Sequence, residues 1–175
     1  APGPRGIVAN LPYNIASPLL IGWLRIIAGN KDDINVMGLM FQKEVADRIT
    51  AKPGTKAYGR LSVITQWLCA VQKVYDLPPS AFTPPPKVSS SIVRFVPKSL
   101  SGDQPSFASV ERITAMAFNQ RRKMIRASLK PFITAIESLG LDPMARAENL
   151  EVADFIALAQ YLEKMQASAG TQSPG

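Results

Sequence analysis

The chain has 175 residues, 46% of them apolar, which is enough for one medium domain, or one domain and a small appendage with its own core, and excludes disorder throughout. The net charge of +7 is unevenly spread, with 18 Lys or Arg against 7 Asp or Glu in residues 1–136 and 2 against 6 in residues 137–175; such segregation suits a face that meets a polyanion, and equally a charge that only aids solubility. A single cysteine, Cys69, and the lack of histidine exclude a disulfide framework and a Cys/His zinc site, so no metal is expected and a reducing, cytoplasmic setting is.

Gly6 to Ala9 is a short apolar run ending at Asn10, which predicts a strand followed by a polar turn. Ser17 and Pro18 then supply an N-cap and a proline at the first helical position, predicting a helix from about Pro18 to Ala28 that Gly29-Asn30 stops. Ile34 to Phe41 is almost continuously apolar, as in a strand buried on both faces of a parallel sheet. A helix over Lys43 to Thr50 and an exposed loop from Lys52 to Arg60 are expected next. Apolar positions 61, 64, 67, 68 and 71 repeat at helical spacing, so a helix over Leu61 to Val71 is expected to pack on the sheet, with Cys69 as a buried small hydrophobe. Lys73 to Leu77 and Val88 to Val96 read as strands. Between them the proline-rich segment 78–86 has too few backbone donors for regular structure and reads as a stiff, shaped loop.

Residues 98–106 form a linker candidate. Beyond it, helices are expected at about 107–118, 120–129, 131–139 and 152–165, and a disordered polar tail over 167–175. The expected fold class is therefore α/β plus all-α: an α/β domain over 1–97, the linker, and a helical domain over 107–166. No stretch approaches the ~18 apolar residues of a membrane span, and the start does not read as a signal peptide, so a soluble monomer away from membranes is expected. A doubly wound nucleotide-binding domain ordinarily opens with a strand, a glycine-rich turn and a helix. This chain starts at what would be a late strand.

Three motifs carry chemistry. Asn10-Leu11-Pro12-Tyr13 follows a predicted strand and precedes a predicted helix. Methylation of an exocyclic adenine amine suits that placement, because the amine is a poor nucleophile whose lone pair is delocalised into the ring. Acceptors at its N–H groups, the Asn10 side-chain oxygen and the Leu11 carbonyl, favour a tetrahedral nitrogen. Pro12 keeps the turn rigid, and Tyr13 offers a ring on which an extruded base stacks, worth ~1–3 kcal/mol. The tetrapeptide equally suits a plain strand-to-helix turn with a buried tyrosine. The second motif is Phe82-Thr83-Pro84-Pro85-Pro86-Lys87-Val88-Ser89-Ser90, whose Phe82, at the mouth of a proline-stiffened loop, can close the other face of the same base or serve as a packing anchor. Arg121, Arg122, Lys123, Arg126 and Lys130 follow, with 122, 126 and 130 on one face of the predicted helix and no acidic residue between Glu111 and Glu137. A phosphate partner explains this better than a solvated face does.

These segments resemble the bacterial small-subunit ribosomal RNA adenine dimethyltransferases, whose loss gives kasugamycin resistance. The resemblance runs through Asn10 to Leu20, Gln42 to Arg48, Ala57 to Val63, Pro79 to Val88, Ala117 to Lys123 and Arg146 to Leu150. It implies the C-terminal half of a Rossmann-like S-adenosylmethionine methyltransferase domain followed by a small helical domain. It also implies S-adenosylmethionine as methyl donor, two successive methylations on each of two adjacent adenosines near the 3′ end of small-subunit rRNA, and the immature small subunit as partner. Asn10, Leu11, Pro12 and Tyr13 would stand at the target amine, with Asn10 also on the cofactor side, and Phe82 at the base. Arg60, Lys87, Arg121, Arg122, Lys123, Arg126 and Lys130 would contact RNA. DNA adenine methyltransferases share a similar tetrapeptide, and erythromycin-resistance methyltransferases share the phenylalanine-proline loop as well. The segment Arg146 to Leu150 favours the small-subunit branch, so DNA is not an expected partner. The family's upstream glycine-rich loop and acidic cofactor residues have no counterpart here, which implies a piece of a longer enzyme or a truncated, non-catalytic RNA-binding assembly module.

Overall fold

A computed structural model describes Gly3 and residues 5–171. The chain divides into two compact units, one of Ala1–Ala51 with Leu68–Leu100 and one of Lys52–Trp67 with Ser101–Gly175.

The first unit is built on four strands, β1 (Arg5–Asn10), β2 (Ile34–Gln42), β3 (Cys69–Leu77) and β4 (Ser90–Pro97), in the order β1-β2-β4-β3. β1 and β2 are parallel and β4 is antiparallel to both its neighbours, so the sheet is mixed. Met37, Leu39 and Phe41 of β2 are fully buried, whereas Val36, Gly38 and Met40 on the opposite face remain partly accessible. The continuous apolar run is thus buried deeply on one face, where Phe41 meets Phe95 edge-on at 6.0 Å. A parallel pair needs a crossover, and helix α1 (Tyr13–Gly29) supplies it, burying Ala16, Leu20, Leu24 and Ile27 at helical spacing. α1 begins five residues before the expected start. Pro12 is its N-cap, Ser17 caps nothing, and Pro18 lies inside the helix. The buried stripe already includes Ala16, so tertiary burial outweighs the local capping signal. Helix α2 (Lys43–Thr50) follows β2, and its Asp47 accepts hydrogen bonds from Lys43 (3.2 Å) and from Lys73 of β3 (2.5 Å). Burial pushes the Asp47 carboxyl up, but the two lysines outweigh it and hold the group below the usual carboxylate range.

The second unit is helical: α3 (Arg60–Leu68, all but its last residue), α4 (Phe107–Asn119), α5 (Ile125–Ser128), α6 (Ile133–Ser138) and α7 (Val152–Gly170). Val110, Ile113 and Ala117 of α4 and Phe155, Leu158 and Leu162 of α7 form its core, and Phe118 stacks on Phe155 at 5.4 Å. Residues 52–67 cluster here and not with the sheet, so the two units are not separated by a single cut after residue 97. The reason is Tyr58. Within a segment expected to be an exposed loop, its side chain is fully buried, its hydroxyl donates to the Leu150 carbonyl at 2.9 Å, and burial raises its pKa well above the usual phenol value. The expected helix over 61–71 ends at Leu68, and Cys69 opens β3 instead, because short apolar runs carry little information on period and the pairing of Val71 with Phe95 decides. Cys69 is buried, and that burial pushes its thiol up to about 12.

Residues 98–106 are irregular yet tied down. Trp67 Nε1 donates to Gln104 Oε1 at 3.0 Å, Gln160 Nε2 to the Asp103 carbonyl at 2.7 Å, and Ser106 caps α4. The Glu163 carboxylate accepts from the Ser106 N–H at 2.6 Å and the Ser109 hydroxyl at 2.8 Å, which lowers its pKa against the opposing effect of burial. α7 reaches Gly170, so residues 167–170 are helical where a disordered tail was expected, and the rest of that expectation, from 172 on, lies outside the described residues. Among the described residues no helix is long and apolar enough to cross a membrane.

Candidate active site

Asn10 is the last residue of β1 and pairs in register with Met40, while Gln42 at the end of β2 pairs with Ser90 at the start of β4. The sheet therefore gathers one end of three strands beside the first turn of α1. Leu11 is buried, and Pro12, extended at φ −56° and ψ 136°, accepts a hydrogen bond from the Ile15 N–H at 3.1 Å. Tyr13 is 38% exposed, so its ring is not the buried tyrosine of a plain turn. Its phenol oxygen lies 2.6 Å from Ser90 Oγ.

The proline loop reaches the same place. After a 3-10 turn at Pro79–Ala81, the Phe82 N–H donates to the Pro79 carbonyl at 3.2 Å, and Phe82, Pro84 and Pro86 line one cavity with Asn10, Leu11, Pro12, Tyr13 and Met40. Its volume is about 360 Å³. Every lining residue is uncharged: one amide, one phenol, and otherwise apolar or aromatic groups. Such a lining suits a neutral planar base. An amide and a phenol set among apolar walls suit the acceptor of a transfer reaction.

Sequence reasoning placed five of the cavity residues and missed Met40, Pro84 and Pro86 as lining groups. Met40 is identified only by strand register. The two prolines were legible as stiffeners of the loop, but their contribution to the wall was not.

The basic residues divide by environment. The expected helix over 120–129 does not form: α4 ends at Asn119, residues 120–123 are turn and bend, Met124 is a bridge residue, and α5 is a single turn over Ile125–Ser128. The Ile125 N–H is taken by the Ala145 carbonyl at 2.7 Å and the Arg126 N–H by Pro143 at 3.1 Å, and Met124 bridges to Arg146, so the backbone is drawn away from a continuous helix. Arg122, Arg126 and Lys130 consequently do not share one helix face. Each is exposed, as is Lys123, and none forms an ion pair among the described residues. Arg121 differs. It donates to the Tyr58 carbonyl at 2.7 Å and the Lys56 carbonyl at 3.0 Å, and its guanidinium lies 5.9 Å from the Phe118 ring centre. Arg60 pairs with Glu111 at 3.2 Å and borders a second cavity of about 470 Å³ with Met116, Phe118 and Asn119. Lys87 is exposed directly after the proline loop.

The family model for ribosomal RNA adenine dimethylases matches residues 4–164, well over half of the chain. The chain belongs to this family. Among relatives, the ribosomal RNA small subunit methyltransferase A of Rhodospirillum rubrum is 54% identical over 163 residues, covering 91% of this chain and 55% of that protein. The same enzyme of Caulobacter vibrioides is 53% identical over 162 residues, covering 91% and 61%. The chain thus spans somewhat more than half the length of the curated relatives it matches. Among solved structures, a dimethyladenosine transferase from Plasmodium falciparum superposes with a TM-score of 0.79 at 28% identity, covering 95% of this dimethylase-family chain and 69% of that one. The 23S rRNA methyltransferase ErmE, with a TM-score of 0.64 at 24% identity over 93% of this chain and 67% of its own, shows the fold alone. The expected class, a Rossmann-like α/β part with an all-helical part, is the class of these neighbours.

Proposed function

We propose that the full-length protein uses S-adenosylmethionine to dimethylate N6 of two adjacent adenosines near the 3′ end of small-subunit rRNA, within the immature subunit in the cytoplasm, and that this chain carries the target-base side of the site. The observation that supports it is the meeting of Asn10, Leu11, Pro12 and Tyr13 with Phe82 around one uncharged cavity, in a chain of the ribosomal RNA adenine dimethylase family.

S-adenosylmethionine, when bound, supplies an electrophilic methyl on a positively charged sulfur that leaves as a neutral thioether. The chain's own residues then have to position a base and expose a lone pair, and no strong general base is obligatory. The Asn10 side-chain oxygen and the Leu11 carbonyl accept the two N–H bonds of the amine, which loosens the delocalisation of its lone pair. Pro12 holds the turn rigid. Tyr13 and Phe82 stack on the two faces of an extruded base, and the apolar walls of Met40, Pro84 and Pro86 exclude water from it. Asn10 is the residue of this chain that would also meet the methyl donor. Arg122, Lys123, Arg126, Lys130 and Lys87, all exposed, would neutralise RNA phosphates, with Arg60 contributing from its pair with Glu111.

Asn10→Ala in the full-length protein tests this reading. Methyl transfer to immature small subunits is expected to fall by about a hundred- to a thousandfold, the scale seen when a preorganised polar contact to a reacting group is lost, with RNA affinity nearly unchanged. Retained turnover would sink the role given to Asn10.

A further inference from the structure

The ring of Tyr13 is anchored by the last residue of the second motif, Ser90, which had no role assigned to it from sequence. Ser90, whose Oγ lies 2.6 Å from the phenol oxygen, is the first residue of β4 and is fully buried. It is fixed on both sides, in register with Gln42 of β2 and Leu77 of β3. Its neighbours are fixed too: the Ser89 carbonyl accepts from the Lys43 N–H at 2.9 Å, and the Ser91 hydroxyl donates to Asp76 at 2.5 Å. Tyr13, by contrast, is the first residue of α1, whose N-cap makes no side-chain hydrogen bond. Pro18 has no N–H for the Asn14 carbonyl, so the opening turn is one backbone bond short of a regular helix. The first turn is therefore weakly held by its own helix, and the phenol–serine bond ties it to a strand end that is paired on both sides.

We infer that Ser90 is a positioning residue for methyl transfer. By holding the Tyr13 phenol it sets the plane of the ring against the cavity, so that a base stacked on it presents its amine to Asn10. Ser90 is not among the residues that line the cavity. The inference rests on the methyltransferase reading, since a fixed ring plane matters only if a base has to be held at a reacting distance.

The test uses the full-length protein with immature small subunits as substrate. Ser90→Ala and Tyr13→Phe each break the same hydrogen bond, one from its buried side and one from its exposed side. Each is expected to lower kcat about five- to tenfold, the scale of one oriented hydrogen bond, with KM for RNA within about twofold. The double variant is expected to be no worse than either single, and Ser90→Thr, which keeps the hydroxyl, to recover most of the rate. RNA carrying 2-aminopurine at the target position gives a second readout: its stacking-quenched fluorescence is expected to brighten in both single variants and to stay quenched in Ser90→Thr. Multiplicative losses in the double variant, or Tyr13→Phe at the wild-type kcat with unchanged fluorescence, would overturn the inference. Should Ser90→Ala fail to fold, Tyr13→Phe and the fluorescence decide alone. If Asn10→Ala is inactive and this series is flat, the positioning role falls and the methyltransferase reading stands; if the wild type transfers no methyl, both fall.

Discussion

Arg121 and Arg122 are adjacent in sequence and carry the same charge, but the structure gives them different work, and truncating each to alanine separates the two. The Arg121 guanidinium makes two hydrogen bonds to carbonyls, 2.7 Å to Tyr58 and 3.0 Å to Lys56, sits 4.0 Å from Glu148 and lies over the Phe118 ring. Hydrogen bonds from a charged donor contribute ~1.5–3 kcal/mol each when desolvated, but this side chain is 46% exposed. Solvent therefore discounts the ion pair to near zero, each hydrogen bond to about 1 kcal/mol and the ring contact to about 0.5 kcal/mol. The sum is about 2–3 kcal/mol, or a fall of roughly 4–12 °C in melting temperature for a chain of this size. Arg122→Ala, with no partner among the described residues, is expected to change stability by less than about 0.5 kcal/mol. In RNA binding the order reverses: Arg122→Ala flattens the log–log dependence of affinity on salt by about one unit, and Arg121→Ala leaves the slope alone. Urea denaturation and filter binding over a salt series measure both. If Arg121→Ala were as stable as the parent and lost a unit of salt slope, the carbonyl contacts would not hold the segment around Tyr58, and Arg121 would be the phosphate contact.

Tyr58→Phe removes the donor to the buried Leu150 carbonyl and is expected to destabilise the helical unit by about 1–3 kcal/mol in urea denaturation, with no change in salt slope; a loss below about 0.3 kcal/mol would mean that the carbonyl finds another partner. Glu163 is held below the usual glutamate value, so its contribution is complete above the unfolded-state pKa of about 4.3 and is lost as pH falls through the lower folded value. The stability gap between wild type and Glu163→Gln should accordingly be flat from pH 7 to pH 5 and close in more acidic buffer; a gap that widened there would contradict the assignment. Phe82→Ala in the full-length protein should weaken stacking of the target base by about 1–3 kcal/mol, read as reduced quenching of 2-aminopurine at that position, while the melting temperature changes little because Phe82 is only half-buried.

Much of the sheet unit was legible because its signals are local and redundant. The strand at Ile34, the helix at Lys43 and the stiff loop over 78–86 each follow from composition within a short window; the first two stand where expected, and the loop does so apart from a 3-10 turn at Pro79–Ala81. The helical unit was less legible where long-range pairing overrides period. Residues 120–129 have helix-compatible spacing, yet their backbone donors at Ile125 and Arg126 are captured by Ala145 and Pro143, well downstream in the chain, which no periodicity can report. Tyr58 illustrates the same limit. Its neighbours Gly54, Lys56 and Gly59 spell an exposed loop, and only the carbonyl of Leu150 makes burial of its hydroxyl tolerable.

The candidate site was legible as chemistry and not as a shape. Asn10-Leu11-Pro12-Tyr13 and Phe82 announce themselves by residue type, but types do not say that two segments so distant in the chain converge. What joins them is the register that sets Asn10 opposite Met40 and Gln42 opposite Ser90. The misplaced start of α1 has the same origin. Ser17-Pro18 is a sound capping signal, and obeying it would leave Tyr13 in an unstructured turn. Burial of Ala16 extends the helix back past the proline, at the expense of one backbone hydrogen bond in the turn that carries the tyrosine. A turn weakened in this way gains a second anchor from the sheet through the Tyr13–Ser90 hydrogen bond, so the precision of the tetrapeptide depends on a residue that it does not contain.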